Sequence, residues 1–322
     1  MNILAELQKA VYEEGISKEE QERRWLEFTE KYYALRKKND RLYDRHLSLE
    51  TRRKLHKLVL FLYSCENKKH SLTYEVLKDE STETERPIIY VVTHVGKNDI
   101  QVISEVLKQH YYLLSGDYEH IQGTKDEIGL GVNGAIYFNE RVKEDRREAS
   151  QKMISHLRRN GNLMYFIEGT WNVTPNLPVL PCYWGIVDVA KKGHAMIVPV
   201  AADQYENHFK INVGKLFDMS KYGEGTEEKS QAIGDLRDTL ATLKYEIWES
   251  FGTQKRDEVD PHEWDDYLNQ RFQEWPYFNS SYIKDLIYKP KGVVSEEEVF
   301  GFTKLLKPKR ENAFLLNKRI HD

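Results

Sequence analysis

The 322-residue chain is poor in cysteine, in long apolar runs and in net charge. Its two cysteines, Cys65 and Cys182, lie far apart and match no zinc or redox spacing. That excludes a disulfide scaffold and points to a reducing compartment. No apolar run approaches the roughly 18 residues of a membrane-spanning helix; the longest cover 58–63 and 195–202. The opening MNILAELQKAVYEEG has neither a basic n-region nor an apolar h-region, so no secretory signal and a cytoplasmic location are expected. With 48 basic against 52 acidic residues the net charge is only −4. Such a balance leaves no electrostatic footprint for nucleic acid, and no such partner is expected. His110, His120, His156, His194, His208 and His262 show no metal-ligand spacing, so no metal is expected. Internal repeats and low-complexity stretches are also missing.

What is present is a core. Hydrophobic residues make up 40% of the chain, with 12 Phe, 6 Trp and 20 Tyr, enough apolar side chain to exclude bulk disorder. Residues 1–65 read as a charged helical region. Ser17-Lys18-Glu19-Glu20 has the form of a capping box, and Trp25, Phe28, Tyr32 and Leu35 recur on one helix face. Between 35 and 57 stand nine basic residues (Arg36, Lys37, Lys38, Arg41, Arg45, Arg52, Arg53, Lys54, Lys57) against three acids. The apolar stretch 58–63 follows directly. A basic block beside an apolar stretch suits contact with an anionic membrane surface; charge runs are also often plain solvated helix faces.

Residues 66–86 turn polar, as connecting segments do. Three strand–helix units follow: PIIYVVT (87–93) with a helix from Asp99 to His110; a helix from Arg147 to Arg159 with a strand over 162–167; a helix from Pro181 to Lys192 with a strand over 195–201. One more strand (210–214) and a long helix (228–251) complete the pattern. This alternation predicts an α/β fold: a mixed, mainly parallel sheet flanked by helices, preceded by the N-terminal helical region. The expected organisation is 1–65 helical, 66–251 catalytic, and 252–322 a helical tail whose aromatics pack on the core.

Chemistry concentrates at strand ends, where open α/β sheets hold ligands. His94 closes the first strand, and Asp99 follows across Val95-Gly96-Lys97-Asn98. Of the eleven histidines only His94 has an aspartate five residues on. A turn bringing that carboxylate back to Nδ1 fixes the tautomer and leaves Nε2 as a proton acceptor; otherwise Asp99 is a helix cap and His94 an ordinary loop residue. Glu168-Gly169-Thr170 closes another strand and offers amides and a hydroxyl to an anion, or is a simple turn. Arg141, ending GAIYFNER, is a fork-shaped donor suited to phosphate, or a solvated arginine.

Taken in order, HVGKND (94–99), GAIYFNER (134–141), FIEGTWN (166–172) and MIVPVA (196–201) resemble the four sequence blocks of the glycerolipid acyltransferases. These form the lysophospholipid acyltransferase superfamily, which includes the 1-acylglycerol-3-phosphate acyltransferases. The stretches PVLPCYWGIVDVAKKG (178–193) and INVGKLFDMS (211–220) add to the likeness, which covers about residues 87–250. The resemblance implies that His94 is the general base on an acceptor hydroxyl, with Asp99 as its orienting partner. The hydroxyl then attacks the thioester of acyl-CoA or an acyl-carrier protein directly, with no bound cofactor. It further implies that Arg141, Glu168, Gly169 and Thr170 bind the acceptor, a lysophospholipid or glycerol phosphate, and that MIVPVA shapes the acyl-chain region.

Two departures touch the acceptor side. Trp171 stands where the family usually has arginine, and one extra residue separates Gly134 from Arg141. Trp171 therefore opens a second acceptor class, a glycolipid or polysaccharide precursor stacked on its ring. The altered blocks also admit a catalytically silent lipid-binding protein of the same fold. A peripheral contact with anionic membrane through residues 35–63 is the expected route to a lipid acceptor.

Overall fold

The structure, a computed structural model, describes residues 2–252 except 14, 97, 117, 140–141 and 173–176, together with residue 310. The aromatic tail expected over 252–322 thus lies outside the described residues, apart from Gly252 and Arg310. In chain order the elements are α1 (Ile3–Val11), α2 (Lys18–His46), α3 (Leu49–Lys69), β1 (Thr73–Asp79), β2 (Ile88–Val92), α4 (Asp99–Leu107), β3 (Tyr112–Ser115), α5 (Tyr118–Ile121), α6 (Lys125–Asn133), β4 (Ala135–Tyr137), α7 (Lys143–Arg158), β5 (Leu163–Phe166), α8 (Gly185–Gly193), β6 (Met196–Tyr205), β7 (His208–Val213) and α9 (Thr226–Phe251). The chain divides into two compact units. One comprises Met1–Leu62 with Gln109–Met164; the other comprises Tyr63–Lys108 and the chain from Tyr165 onward.

The second unit is built on the order β1-β7-β6-β2, with the end of β5 beyond β2, where the Ile167 N–H reaches the Val92 carbonyl at 3.4 Å. β2 runs parallel to β6, from Ile88 opposite Met196 to Val92 opposite Val200. β1 is parallel to β7, whereas β6 and β7 form an antiparallel hairpin. The β-branched run of β2 is buried on both faces, as a central parallel strand requires. α9 packs on β6 and β7 and buries Leu236, Leu240, Ala241, Tyr245 and Ile247. β1 was not visible as a strand in the sequence: it is a sheet edge with Thr73–Val76 all exposed, so its composition is that of a linker.

In the first unit β3 lies between β4 and the start of β5, parallel to both. Phe28 and Tyr32 of α2 join Leu4, Val11, Tyr118 and Tyr137 in one apolar cluster, with Trp25 and Leu35 packed against it. Only half of the capping box forms. Ser17 accepts from the Glu20 N–H at 3.2 Å, but the Glu20 carboxylate turns away to bind Arg23 and Arg24.

The basic block is not one solvated face. Arg36 is buried and holds Asp145 through two bonds of 2.5 and 2.6 Å. Arg52, also buried, donates to the Gly131 and Val132 carbonyls near the end of α6, where a cation complements the helix dipole. Among the residues exposed on α3 are Lys54, paired with Glu50 at 2.8 Å, and Lys57, with Leu58 (54% exposed), Phe61 (63%) and Leu62 (53%). No described helix is long and apolar enough to cross a membrane.

Candidate active site

The site is assembled within the second unit from the ends of β2 and β5 and the segment leading into α8. The last ladder bonds of β2 are made at Thr93, whose N–H reaches the Val200 carbonyl and whose hydroxyl accepts from Ala202 N–H. His94 lies one residue beyond, so its backbone must find partners elsewhere.

The chain turns at Gly96, whose carbonyl accepts the Asp99 N–H at 3.4 Å, and Asp99 enters the first turn of α4 fully buried. Its Oδ2 accepts three hydrogen bonds: from His94 Nδ1 at 2.8 Å, from the Val95 N–H at 2.7 Å and from the Gly96 N–H at 3.1 Å. An ionised carboxylate holding two amides has one role left toward imidazole, which is to accept. The proton of a neutral His94 therefore sits on Nδ1, and Nε2 carries the free lone pair. No hydrogen bond among the described residues engages Nε2, and the side chain is 16% exposed. The ring is stacked on Phe166, with centroids 4.2 Å apart and planes at 25°, and faces the edge of Trp171 at 6.2 Å.

Glu168 is 1% exposed. Its Oε1 accepts the His94 N–H at 2.8 Å and its Oε2 accepts the Leu180 N–H at 2.7 Å. Burial pushes this carboxyl above the usual range, opposed by the two amides. Glu168, expected on the acceptor side, has each oxygen on a backbone amide and faces no solvent.

Gly169 has φ +70°, in the left-handed region, and a Cβ there would meet the Tyr183 ring at 2.4 Å. Glycine is needed on both counts. Thr170 is buried and Trp171 is 5% exposed, so the tryptophan is a wall beside His94 and has no open face for a sugar ring. Arg141 lies outside the described residues. The MIVPVA block, expected along the acyl chain, is the interior of β6, with Ile197, Val198, Val200 and Ala201 all at 0–2% exposure. Its apolar character serves the sheet.

α8 begins at Gly185, later than the expected Pro181. The Leu180 N–H is committed to Glu168 and the Tyr183 N–H to the Ile167 carbonyl, which holds this segment against the site as extended wall. Among the described residues no group of three or more His, Cys, Asp or Glu is placed to hold a metal ion.

Residues 73–203 match the family model described as Acyltransferase. Among solved structures, the 1-acyl-sn-glycerophosphate (LPA) acyltransferase PlsC from Thermotoga maritima is similar at a TM-score of 0.47 and 14% identity, over 76% of this chain and 96% of that chain. No curated protein matches the sequence.

Proposed function

We propose, from the match of residues 73–203 to the Acyltransferase family model, that this protein moves a fatty acyl group from an acyl thioester to a hydroxyl of a lysophospholipid or glycerol phosphate. The donor is acyl-CoA or an acyl-carrier protein. The observation that carries the reading is the His94 Nδ1–Asp99 contact of 2.8 Å on a histidine whose Nε2 has no hydrogen bond among the described residues.

The chemistry follows from that pair. Nε2 takes the proton of the acceptor hydroxyl as its oxygen attacks the thioester carbonyl carbon. The Asp99 carboxylate stabilises the imidazolium as it forms and stays ionised. The tetrahedral adduct collapses with cleavage of the C–S bond, and the departing thiolate takes the proton back from Nε2. Ester and free thiol leave, and the imidazole is neutral again. Arg141 remains the proposed phosphate-binding side chain, by resemblance alone, and Gly169 and Thr170 border the same turn.

Reaching a lipid acceptor calls for contact with its surface. We assign this to the exposed face of α3, where Leu58, Phe61 and Leu62 insert among acyl chains and Lys54 and Lys57 meet anionic headgroups.

The deciding experiment follows free thiol release from acyl-CoA with lysophospholipid, glycerol phosphate and sugar-bearing lipid acceptors. Wild type is expected to turn over the phosphate-bearing acceptors, and His94→Ala to lose at least ~100-fold in rate while keeping its circular dichroism spectrum. Turnover retained in that variant refutes the mechanism. A wild type that binds lysolipid yet releases no thiol refutes the enzyme reading in favour of a lipid-binding protein.

A further inference from the structure

The residue that makes His94 serviceable is not confined to its own turn. His94 stands past the last ladder bond of β2, so strand pairing does not hold its backbone. Two contacts from the 166–172 segment do so instead. The His94 N–H donates to Glu168 Oε1 at 2.8 Å, and the His94 carbonyl accepts from the Asn172 N–H at 2.7 Å. The other Glu168 oxygen takes the Leu180 N–H at 2.7 Å, so one carboxylate ties the end of β2 to the end of β5 and to the wall before α8.

We propose that Glu168 is a positioning residue for His94: it fixes the histidine backbone so that the Nδ1–Asp99 bond and the Phe166 stack aim Nε2 at one place, and it makes no contact with either substrate. This rests on His94 being the base. The reason is geometric. The carboxylate is 1% exposed, and each oxygen is within hydrogen-bond range of a backbone amide. Hydrogen bonds from N–H to a carboxyl oxygen in a dry setting are directional, so they fix backbone position closely. An acceptor hydroxyl or phosphate has no open approach to a carboxyl that is 1% exposed. Substitution by glutamine preserves the volume but turns one –NH2 toward one of the two amide donors, so one clamp bond is lost.

Two measurements test this on the full chain. In steady-state thiol release from acyl-CoA with lysophospholipid, Glu168→Gln is expected to lower kcat by ~100-fold, the scale of a displacement of about 1 Å at the reacting groups. The KM values of donor and acceptor should stay within about 3-fold of wild type, since uniform binding is untouched. An acceptor KM raised ten-fold or more with kcat preserved would assign Glu168 to substrate and overturn the proposal, as would an unchanged kcat in a folded variant.

Should the variant not fold, or should wild type release no thiol with any acceptor, amide hydrogen exchange on wild type decides the clamp independently of activity. The His94 and Leu180 amides are expected to exchange slowly, and equally slowly with glycerol phosphate added. Fast exchange in the free protein, or acceleration by glycerol phosphate, would show the carboxylate released from backbone and overturn the assignment. Slow exchange in both conditions with no thiol released from wild type would leave the clamp standing and remove the acyltransferase reading instead.

Discussion

An imidazole removes a proton from an alcohol only while its own proton is parked on the opposite nitrogen, so the partner of Nδ1 decides whether His94 is a base or a bystander. Asp99 Oδ2 accepts from His94 Nδ1 and from the amides of Val95 and Gly96. The two amides keep the carboxylate oriented, and the imidazole meets a fixed acceptor. Asp99→Asn keeps the shape and removes the charge. Its amide can present either an oxygen to the loop amides or an N–H to the ring, and the second choice forces the wrong tautomer. The expected outcome is a loss of at least ~100-fold in kcat for thiol release, with the acceptor KM little changed and the fold retained by circular dichroism. A variant with more than half of wild-type kcat would show that Asp99 only anchors the turn at Val95 and Gly96. Gly169 belongs to the same scale, because its φ of +70° and the Tyr183 ring above it leave no room for a side chain at the turn that delivers Glu168.

At the scale of elements, the question is why some helices and strands could be read from the chain and others could not. β2, β5 and β6 carry continuous apolar runs because both of their faces are covered, and each is legible as a strand. β1, with an exposed face and edge, and the four-residue β3 and three-residue β4 carry too little pattern to stand out. α3 is the element whose reading changed most. Its basic run is split, with Arg52 turned inward to the carbonyls of Gly131 and Val132 and the lysines left outside with Leu58, Phe61 and Leu62. Burying one large apolar side chain in a membrane interface contributes roughly 1.5–3 kcal/mol. Phe61→Asp is therefore expected to weaken co-sedimentation with phosphatidylserine-containing vesicles by at least ~10-fold. Raising the salt concentration should weaken wild-type binding as well, through screening of Lys54 and Lys57. Binding unaffected by either change would remove α3 as the docking face.

At the scale of the whole molecule, the two units differ in how they answer acid. The first holds three buried histidines. His110 is lowered by burial to about 4 and His156 to about 3, and His56 is lowered for the same reason. His56 meets Asn133, His110 lies edge-on to His56, and His156 stacks on Tyr112, which has the buried Arg52 cation over its ring. Among the described residues no carboxylate is bonded to any of the three, so a proton added there joins an existing positive charge. Unfolded histidine titrates near 6.5, above these folded values, so the unfolded chain takes up more protons between them. Stability is complete above about pH 6.5 and is lost as the pH falls toward 4 for His110 and then 3 for His156, by a few kcal/mol for each of these two once titrated, with His56 acting in the same direction. Urea unfolding is expected to show a lower midpoint at pH 5 than at pH 7, and hydrogen exchange at pH 5 should rise first in α3 and α7, before β2 and β6. Equal acceleration in both units would contradict the assignment.

His94 and Asp99 were legible in the sequence because a five-residue turn is a local matter, in which the spacing alone brings a carboxylate within reach of a ring. The α/β alternation was legible for the same reason, since period and turn residues are properties of short windows. Glu168 was visible as a residue of interest but not in its role, because its two amide partners lie 74 and 12 residues away and nothing in the glutamate itself announces them. Only the tertiary structure decided that Trp171 is a wall, that Arg36 and Arg52 leave the positive face, and that residues 109–164 group with the first 62. Burial and the pairing of buried polar groups depend on which distant segments meet, and the sequence does not carry that information residue by residue.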